Sequence, residues 1–159
     1  MAKQRIKGFT LIELVMVIVI LGVLAAFAIP RHVSLNTEAR ISMLNGLQGS
    51  VTSAAQIAFM KCIASPGCYG QTAPITGPDG TTIGILLNGY PTGKSRTPSW
   101  FGLKDWLTVQ GNVTLYEIDN SNAEIWIDGA PTPANCKVHY TEAGTMGSLP
   151  TIFIVTSGC

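Results

Sequence analysis

Apolar residues fill the chain from residue 9 to residue 29, where only Thr10 and Glu13 are polar. As an α-helix, this segment would extend about 30 Å at roughly 1.5 Å per residue, which matches the thickness of a bilayer core. The short stretch before it is basic and would stay on the cytoplasmic side of a membrane. The pattern predicts a segment that enters a membrane at some stage.

Beyond Pro30 the apolar residues recur on one side of a predicted helix. They recur at alternating spacings of three and four, which is typical of an amphipathic helix. These positions are Leu44, Leu47, Val51, Ala54 and Ala58. We expect one helix from about Phe9 to Met60, ending near Cys62 because a Pro-Gly pair follows. Its second half is predicted to pack on a globular domain, while its first half stays bare as an interface.

Four β-branched and aromatic runs predict strands in the last third of the chain. They are Val113–Ile118, Ala123–Ile127, Lys137–Thr141 and Thr151–Thr156. Short turns and loops separate them, which favours an antiparallel sheet. The predicted fold class is α+β, with a long N-terminal helix packed on an antiparallel sheet of about four strands.

The segment between the helix and these strands is rich in Gly, Pro and Thr. Its residues 77–80, Gly-Pro-Asp-Gly, are a turn signal. We expect a short buried strand at Ile83–Leu87 and a brief helix at Trp100–Leu107.

Three interpretations of the apolar N-terminal segment compete. A secretory signal peptide would be cut after Ala28, where an A-x-A pattern ends, but the segment is longer than a usual signal and contains Glu13. A permanent anchor would carry the same carboxylate at a cost of up to roughly 3 kcal/mol on insertion scales. The third interpretation gives Glu13 a function.

Cleavage between Gly8 and Phe9 would create an α-amino group one helical turn before Glu13. An amine and a carboxylate attract strongly in a medium of low dielectric constant, and each is costly when unpaired. If the amine of one subunit meets the carboxylate of another, the pair fixes the axial stagger of packed helices, as a polar residue fixes the register of a coiled coil. Apolar burial would then supply cohesion, and Glu13 would supply register.

Four cysteines in a chain with an export-like start favour two disulfides and an oxidising compartment. None forms a C-x-x-C pair, and the spacing of a zinc site is absent. The interval from Cys62 to Cys68 holds a Pro-Gly turn that would bring its ends together. That leaves Cys136 with Cys159, although the sequence alone permits three connectivities.

Charge and motif content argue against several function classes. The formal net charge is +1 and no Lys/Arg cluster follows residue 7, so nucleic-acid binding is not expected. No nucleophile elbow, phosphate-binding Gly loop or HExxH motif occurs, so we expect no enzyme activity, cofactor or metal centre. Asp119, Asn120 and Asn122 offer oxygen ligands for Ca²⁺, but a hairpin turn explains them as well and is favoured.

Four aromatic residues are candidates for stacking on sugars, although core packing is their favoured use. They are Tyr90, Trp100, Trp106 and Trp126.

The residues around the basic start carry a specific resemblance. They read Lys7-Gly8-Phe9-Thr10-Leu11-Ile12-Glu13-Leu14. This stretch resembles the processing site of type IV prepilins, in which a basic leader ends in Gly and Glu stands at the fifth mature position. The resemblance implies cleavage by a prepilin peptidase after Gly8, N-methylation of Phe9 and a role for Glu13 in subunit assembly. Gly22 and Pro30 match positions where helices of this family loosen or kink.

A finer resemblance covers more of the chain. Residues 40–55, the Gly-Tyr-Pro motif at 89–91 and the C-terminal pattern from Cys136 to Cys159 are similar to mannose-sensitive haemagglutinin (MSHA) pilins. The similarity implies a major pilin of a Gram-negative bacterium, with Cys136–Cys159 as a C-terminal disulfide loop. Cys62 and Cys68 lie outside that pattern, so their bridge rests on spacing alone.

These inferences divide the chain into a removed basic leader at 1–8, an apolar transmembrane and assembly helix at 9–30, its amphipathic second half at 31–62 and a globular sheet domain at 63–159. The resemblance implies a structural subunit that polymerises with itself into a surface fibre for adhesion, biofilm formation or haemagglutination. Its partners would be the inner membrane, the prepilin peptidase and N-methyltransferase, the pilus assembly machinery, and host or surface glycans.

Three alternatives remain open at the level of sequence. The first is a pseudopilin of a type II secretion system or a minor pilin, since the same leader serves both. The second is a binding domain released by a secretory signal. The third is a membrane-anchored enzyme, although no active site is evident in the sequence.

Overall fold

The computed structural model describes residues 9–68, 75–77, 80, 83–84, 86, 88–95 and 101–159, with the backbone alone at 28–34 and 83–84. Its main elements are one long helix and a four-stranded sheet, which confirms the predicted α+β fold class. The residues up to Glu38 and those from Ala39 onward form two compact units.

The helix α1 spans Leu11–Ala64, close to the predicted Phe9–Met60. It passes through Gly22 and Pro30 as one element. Proline removes one main-chain donor and glycine adds backbone freedom, so local loosening there stays a prediction. The helix ends just before Ser65, where the Ser65 N–H donates to Cys62 O at 3.0 Å and closes the last turn.

Among the described residues of the first unit, nothing covers the large apolar side chains from Phe9 to Phe27. Every large apolar side chain from Phe9 to Phe27 is between 43% and 87% exposed. The sequence analysis expected residues 9–30 to cross a membrane. Among the described residues, no helix combines the length and the apolar character that a bilayer crossing requires.

The second unit contains an antiparallel sheet of four strands in chain order. They are β3 at Val113–Glu117, β4 at Asn122–Ile127, β5 at Lys137–Thr141 and β6 at Thr151–Val155. Each predicted strand is present, with ends that differ by at most one residue. One face carries the apolar side chains because successive residues of a strand point to opposite sides.

The core of the second unit lies between that apolar face and α1. Leu44, Val51 and Ala55 of the helix share one buried cluster with Ile125 and Tyr140 of the sheet. A second cluster surrounds Ala58, Cys62 and Trp106. The three-and-four spacing therefore predicted the buried face of the helix correctly.

The chain between helix and sheet folds in short pieces. The strands β1 at Ile75–Thr76 and β2 at Ile83–Gly84 pair antiparallel, and the sequence analysis missed β1. The predicted strand at Ile83–Leu87 is limited to β2 among the described residues, since 85 and 87 lie outside them. The predicted helix at Trp100–Leu107 is a 3₁₀ turn at Leu103–Asp105, and Trp100 lies outside the described residues.

The predicted turn at 77–80 is only partly described. The Gly80 N–H donates to Gly77 O at 3.1 Å, as a β-turn requires, while 78 and 79 lie outside the described residues.

The loop at 88–95 is buried over its first six residues, 88–93, rather than lying on the surface. Asn88 and Gly89 both have positive φ angles and turn the chain, and the Asn88 side chain donates to Ala143 O at 2.8 Å. The hydroxyl of Tyr140 donates to Pro91 O at 2.6 Å. A side chain at Gly93 would lie 2.1 Å from the main-chain nitrogen of Asn122, so only glycine fits. The Gly-Tyr-Pro motif is therefore part of the core.

Candidate assembly site

The first turn of α1 is capped by the residues that the resemblance singles out. Thr10 precedes the helix, and its main-chain N–H and hydroxyl both donate to Glu13 Oε2 at 2.8 Å. In return, the Glu13 N–H donates to Thr10 Oγ1 at 3.3 Å. This reciprocal pair is a capping box, which satisfies main-chain donors that a helix start otherwise leaves open. Glu13 thus has a local partner in the single chain.

The sequence analysis missed this use of Glu13. The signal was present, because Thr-Leu-Ile-Glu at 10–13 follows the S/T-x-x-E pattern of a capping box. Gly8, which directly precedes the predicted cleavage point, lies outside the described residues. Phe9 is described and is 87% exposed.

The apolar surface that follows has no partner among the described residues of the first unit. An uncovered stripe of this length is far larger than the isolated apolar residues that ordinary surfaces carry. Gly22 lies within it, and a side chain placed there would meet no other atom within 4 Å. The surface can therefore accept a neighbour closely at this point.

The second half of α1 has one buried and one exposed face. Ile57, Met60 and Ile63 are each between 57% and 64% exposed, whereas Ala54 and Ala58 are buried in the core. The exposed apolar face in the second unit is thus narrower than the surface from Phe9 to Phe27.

Two disulfides close the second unit. Cys62 is bonded to Cys68 at the end of α1, and Cys136 is bonded to Cys159 across a sequence separation of 23 residues. Both pairs are buried. Of the three connectivities that the sequence permits, the structure contains the one favoured by spacing and by the family pattern.

Arg40 connects the helix to the C-terminal disulfide loop. Its guanidinium donates to Cys159 O at 2.7 Å and to Gly129 O at 3.1 Å. Two donors in one planar fork fix the orientation of both loops, which a lysine cannot do. No role for Arg40 was predicted from the sequence, because its acceptors are main-chain oxygens, which every residue carries.

The outer face of the sheet carries a charged and aromatic cluster. Glu124 is 8% exposed, and its carboxylate accepts from Lys137 Nζ and Trp126 Nε1, each at 2.7 Å. His139 Nδ1 lies 3.0 Å from the same carboxylate, and the His139 ring stacks on Phe153. Every oxygen of Glu124 is thereby occupied, so the cluster is a cross-strand network.

The candidate calcium ligands serve a turn. Asp119 Oδ1 accepts from the main-chain N–H groups of Ser121 and Asn122 at 2.8 Å. Hydrogen bonds from the Asn122 side chain, together with these main-chain hydrogen bonds, lower the pKa of Asp119. Within the described residues, no group of three or more His, Cys, Asp or Glu side chains is placed to hold a metal ion. The arrangement between β3 and β4 is that of a hairpin connection.

The aromatic candidates for sugar stacking lie in different places. Tyr90 is 4% exposed and stacks on Phe59 with ring centroids 4.7 Å apart. Trp106 is buried against Phe101, and Trp100 lies outside the described residues. Of the described candidates, only Trp126 reaches the outer face of the sheet, where it contacts Tyr116.

Comparison with known proteins supports the resemblance to type IV prepilins. The family model described as "Prokaryotic N-terminal methylation motif" matches residues 3–29. The type IV narrow pilus major component PilA5 of Thermus thermophilus is 45% identical over 65 residues, which cover 41% of this chain and 56% of that protein. The type II secretion system core protein G of Pseudomonas aeruginosa is 32% identical over 81 residues, or 50% of this chain and 57% of that protein.

A third relative is the type IV major fimbrial protein FimA of Dichelobacter nodosus, 33% identical over 67 residues, which cover 42% of this chain and 43% of that protein. The chain thus spans about half the length of the curated relatives it matches. No solved structure matches the chain. The recognition of a prepilin is confirmed: this chain carries an N-terminal methylation motif, and its relatives include proteins named as type IV pilins.

Proposed function

We propose that this protein is a structural subunit that polymerises through the apolar N-terminal part of α1 into a type IV pilus, without enzymatic activity. The observation that carries the proposal is the methylation motif at 3–29 beside an apolar helix surface that is exposed from Phe9 to Phe27 in the structure. Side chains from Phe9 to Phe27 are removed from water by lipid in the precursor and by the helices of other subunits in the fibre. Relative to water, burial of that surface is worth roughly 25 cal/mol for each Å², so a fibre outside the membrane needs these helices packed against one another.

Processing precedes assembly in this proposal. A prepilin peptidase cuts after Gly8, and an N-methyltransferase modifies the new amine of Phe9. The precursor is held at the inner membrane by its apolar segment, and pilus assembly machinery moves it into the fibre at the cell surface. The similarity to named pilins supports this sequence of events.

Glu13 changes partner in the course of assembly. In the single chain its carboxylate is held by Thr10, whose main-chain N–H and hydroxyl are both 2.8 Å away. Cleavage brings a free amine to the same helix start, and the amine of a neighbouring subunit is the stronger partner in an apolar surrounding. The capping box keeps the carboxylate satisfied until that neighbour arrives.

The test uses Glu13→Ala in cells that process and assemble the wild-type chain. Mass and N-terminal sequence of the exported protein should show a methylated Phe9 start in both proteins. We expect the variant to be processed but to yield few sheared surface fibres. The matched control is Glu38→Ala, which removes an exposed carboxylate further along the same helix and should assemble normally.

Two results would contradict the proposal. A mature start at Ile29 would identify a secretory signal and a released domain. Normal fibre yield from Glu13→Ala would show that the carboxylate does not set the register of subunits.

A pseudopilin of a type II secretion system is the second candidate, and the similarity to a secretion core protein favours it. Long surface fibres recovered by shearing would support the pilus, whereas a subunit confined to the periplasm would support the secretion system. The finer assignment, an MSHA-type pilus for adhesion, biofilm formation or haemagglutination, rests on the motifs at 40–55, 89–91 and 136–159. Its test is loss of agglutination when the gene is deleted, with recovery on complementation.

A further inference from the structure

The outer edge of β6 carries main-chain groups that face away from β5. In an antiparallel pair, facing residues alternate between hydrogen-bonded and non-bonded pairs. The Ile127 N–H donates to Cys136 O at 3.0 Å, which fixes this alternation between β4 and β5. Because this alternation continues through the register between β5 and β6, the main-chain groups of Ile152 and Ile154 face away from β5.

A side-chain contact leads to the same conclusion. Ile152 O accepts from Gln48 Nε2 at 3.2 Å, so this oxygen points out of the sheet towards α1. In the part of the chain that the structure describes, no hydrogen bond reaches the Ile152 N–H or the N–H and oxygen of Ile154 at this edge. The Gln48 amide lies where a main-chain donor of a fifth strand would lie.

A cavity of about 100 Å³ opens at the beginning of the same strand. Its lining includes Thr52 and Gln56 of α1, together with Tyr90, Leu149 and Ile152. The Leu149 side chain is 77% exposed beside it. A cavity of roughly 150 Å³ holds a benzene molecule, so this one is large enough for a small or branched aliphatic side chain. None of its lining residues carries a charge.

We propose that the β6 edge and this cavity form one site that binds an extended, uncharged polypeptide segment of another protein as a fifth strand. The main-chain groups of Ile152 and Ile154 would pair with the segment, as in other cases of strand addition. One aliphatic side chain of the segment would enter the cavity, and the side chains two residues away would lie on the same face. The proposal is independent of fibre assembly, because it uses only residues of the second unit.

A second copy of this chain is a weaker candidate for the occupant. In a symmetric pairing of two β6 strands, Gln48 would stand in the way of each Ile152 O. The side chains of Ile152 and Ile154 in the other copy would remain packed in their own core and could not fill the cavity. A partner segment meets the Gln48 amide only once, at the Ile152 O of this chain, and without a core of its own it can place a side chain in the cavity.

The experiment measures amide hydrogen exchange of the full chain in a non-ionic detergent. The probe is a capped hexapeptide of sequence Thr-Ile-Thr-Leu-Thr-Val, and the control peptide carries N-methyl groups on alternate amides. We expect the first peptide to slow exchange at the Ile152 and Ile154 amides roughly ten-fold or more. The methylated peptide should have no effect, because it cannot form the strand hydrogen bonds.

Variants of α1 test the cavity separately. Thr52→Phe should fill it and abolish peptide protection, whereas Ser53→Phe, at the adjacent exposed position outside the cavity, should leave protection unchanged. Gln48→Ala should retain binding or strengthen it, because the peptide no longer has to displace an amide. A circular dichroism spectrum of each variant confirms that the fold is intact.

Four results would overturn the proposal. They are absence of protection by the peptide, equal protection by the methylated peptide, equal binding by the Thr52→Phe and Ser53→Phe variants, and protection that rises with protein concentration when no peptide is present. The last of these would assign the edge to a second copy of the chain. None of them bears on the Glu13→Ala fibre test.

Discussion

At the scale of the residue, Glu13 and Glu124 show how the same side chain is placed for different purposes. Glu13 stands on an exposed stretch of helix, where Thr10 is the only partner of its carboxylate among the described residues. Glu124 is nearly buried and is satisfied by three neighbours on adjacent strands. A carboxylate that must change partner needs few and local contacts, whereas a carboxylate that joins strands needs many.

Thr10→Val tests the capping box at the helix start. The substitution keeps the shape of the side chain but removes the hydroxyl that accepts from the Glu13 N–H. We expect the first turn to fray, with hydrogen exchange at the Glu13 amide faster by roughly five-fold, as for the loss of an ordinary N-cap. Thr37→Val, within the same helix, is the control and should leave this rate unchanged; an unchanged rate in Thr10→Val would refute the cap.

Glu124→Gln tests the network on the outer face of the sheet. Burial alone would raise the pKa of Glu124, but hydrogen bonds from Lys137 and Trp126 and the contact with His139 lower it. A lowered pKa in the folded state means that the carboxylate stabilises the protein above the ordinary carboxyl value near 4.5. This contribution is lost as the pH falls through the folded-state pKa.

We therefore expect Glu124→Gln to lower the free energy of unfolding by about 1 to 3 kcal/mol at pH 7, as for a hydrogen-bonded charged group. Below pH 4.5 the difference from the wild type should shrink, because the wild-type carboxyl becomes protonated there. Urea unfolding at pH 7 and pH 3 measures both values. A constant difference across this range would show that the charge of Glu124 is not responsible.

At the scale of the element, runs of β-branched and aromatic residues determine which predictions succeed. β3, β4, β5 and β6 were predicted to within one residue because each is such a run between turn residues. β1 was missed because a strand of two residues is too short to form a run. The loop at 88–95 contains no such run either, and its position depends on contacts with distant partners such as Tyr140 and Asn122.

The same reasoning applies to the candidate assembly site. The uncovered apolar surface and Glu13 could be predicted because their character is visible in the sequence. Arg40 and Gln48 could not, since each binds a main-chain oxygen more than a hundred positions away in the chain. Any residue type can provide a main-chain acceptor, so the sequence does not mark the partner.

The two disulfides should contribute unequally to stability. In the loop-entropy model, the stabilisation rises with the length of the closed loop. Sequence separations of 6 and 23 correspond to about 2.3 kcal/mol for Cys62–Cys68 and about 3.5 kcal/mol for Cys136–Cys159. Paired Cys→Ala variants, compared by urea unfolding, test this order. Both pairs are buried, so the cost of removing sulfur is similar in each, and a reversed order would contradict the model.

At the scale of the whole molecule, the two units of the chain differ in whether their apolar side chains are buried within the unit. The residues from Ala39 onward contain both apolar clusters, both disulfides and the complete sheet. Of the residues up to Glu38, those from Phe9 to Phe27 contribute an exposed apolar helix surface. Under the proposed function, folding and assembly therefore belong to different parts of one sequence.

A chain that begins at Ala39 should therefore fold without assembling. It keeps Arg40, whose hydrogen bonds to Cys159 and Gly129 hold the start of the remaining helix in place. Exported to an oxidising compartment, it should be a soluble monomer with a single cooperative unfolding transition, as is usual for a domain of this size. Sedimentation would show one monomeric species at every concentration, whereas the full chain, once removed from detergent, should associate. If the shortened chain failed to fold, the first unit would be needed for the core of the second, and if it formed fibres, the apolar surface from Phe9 to Phe27 would not be the assembly site.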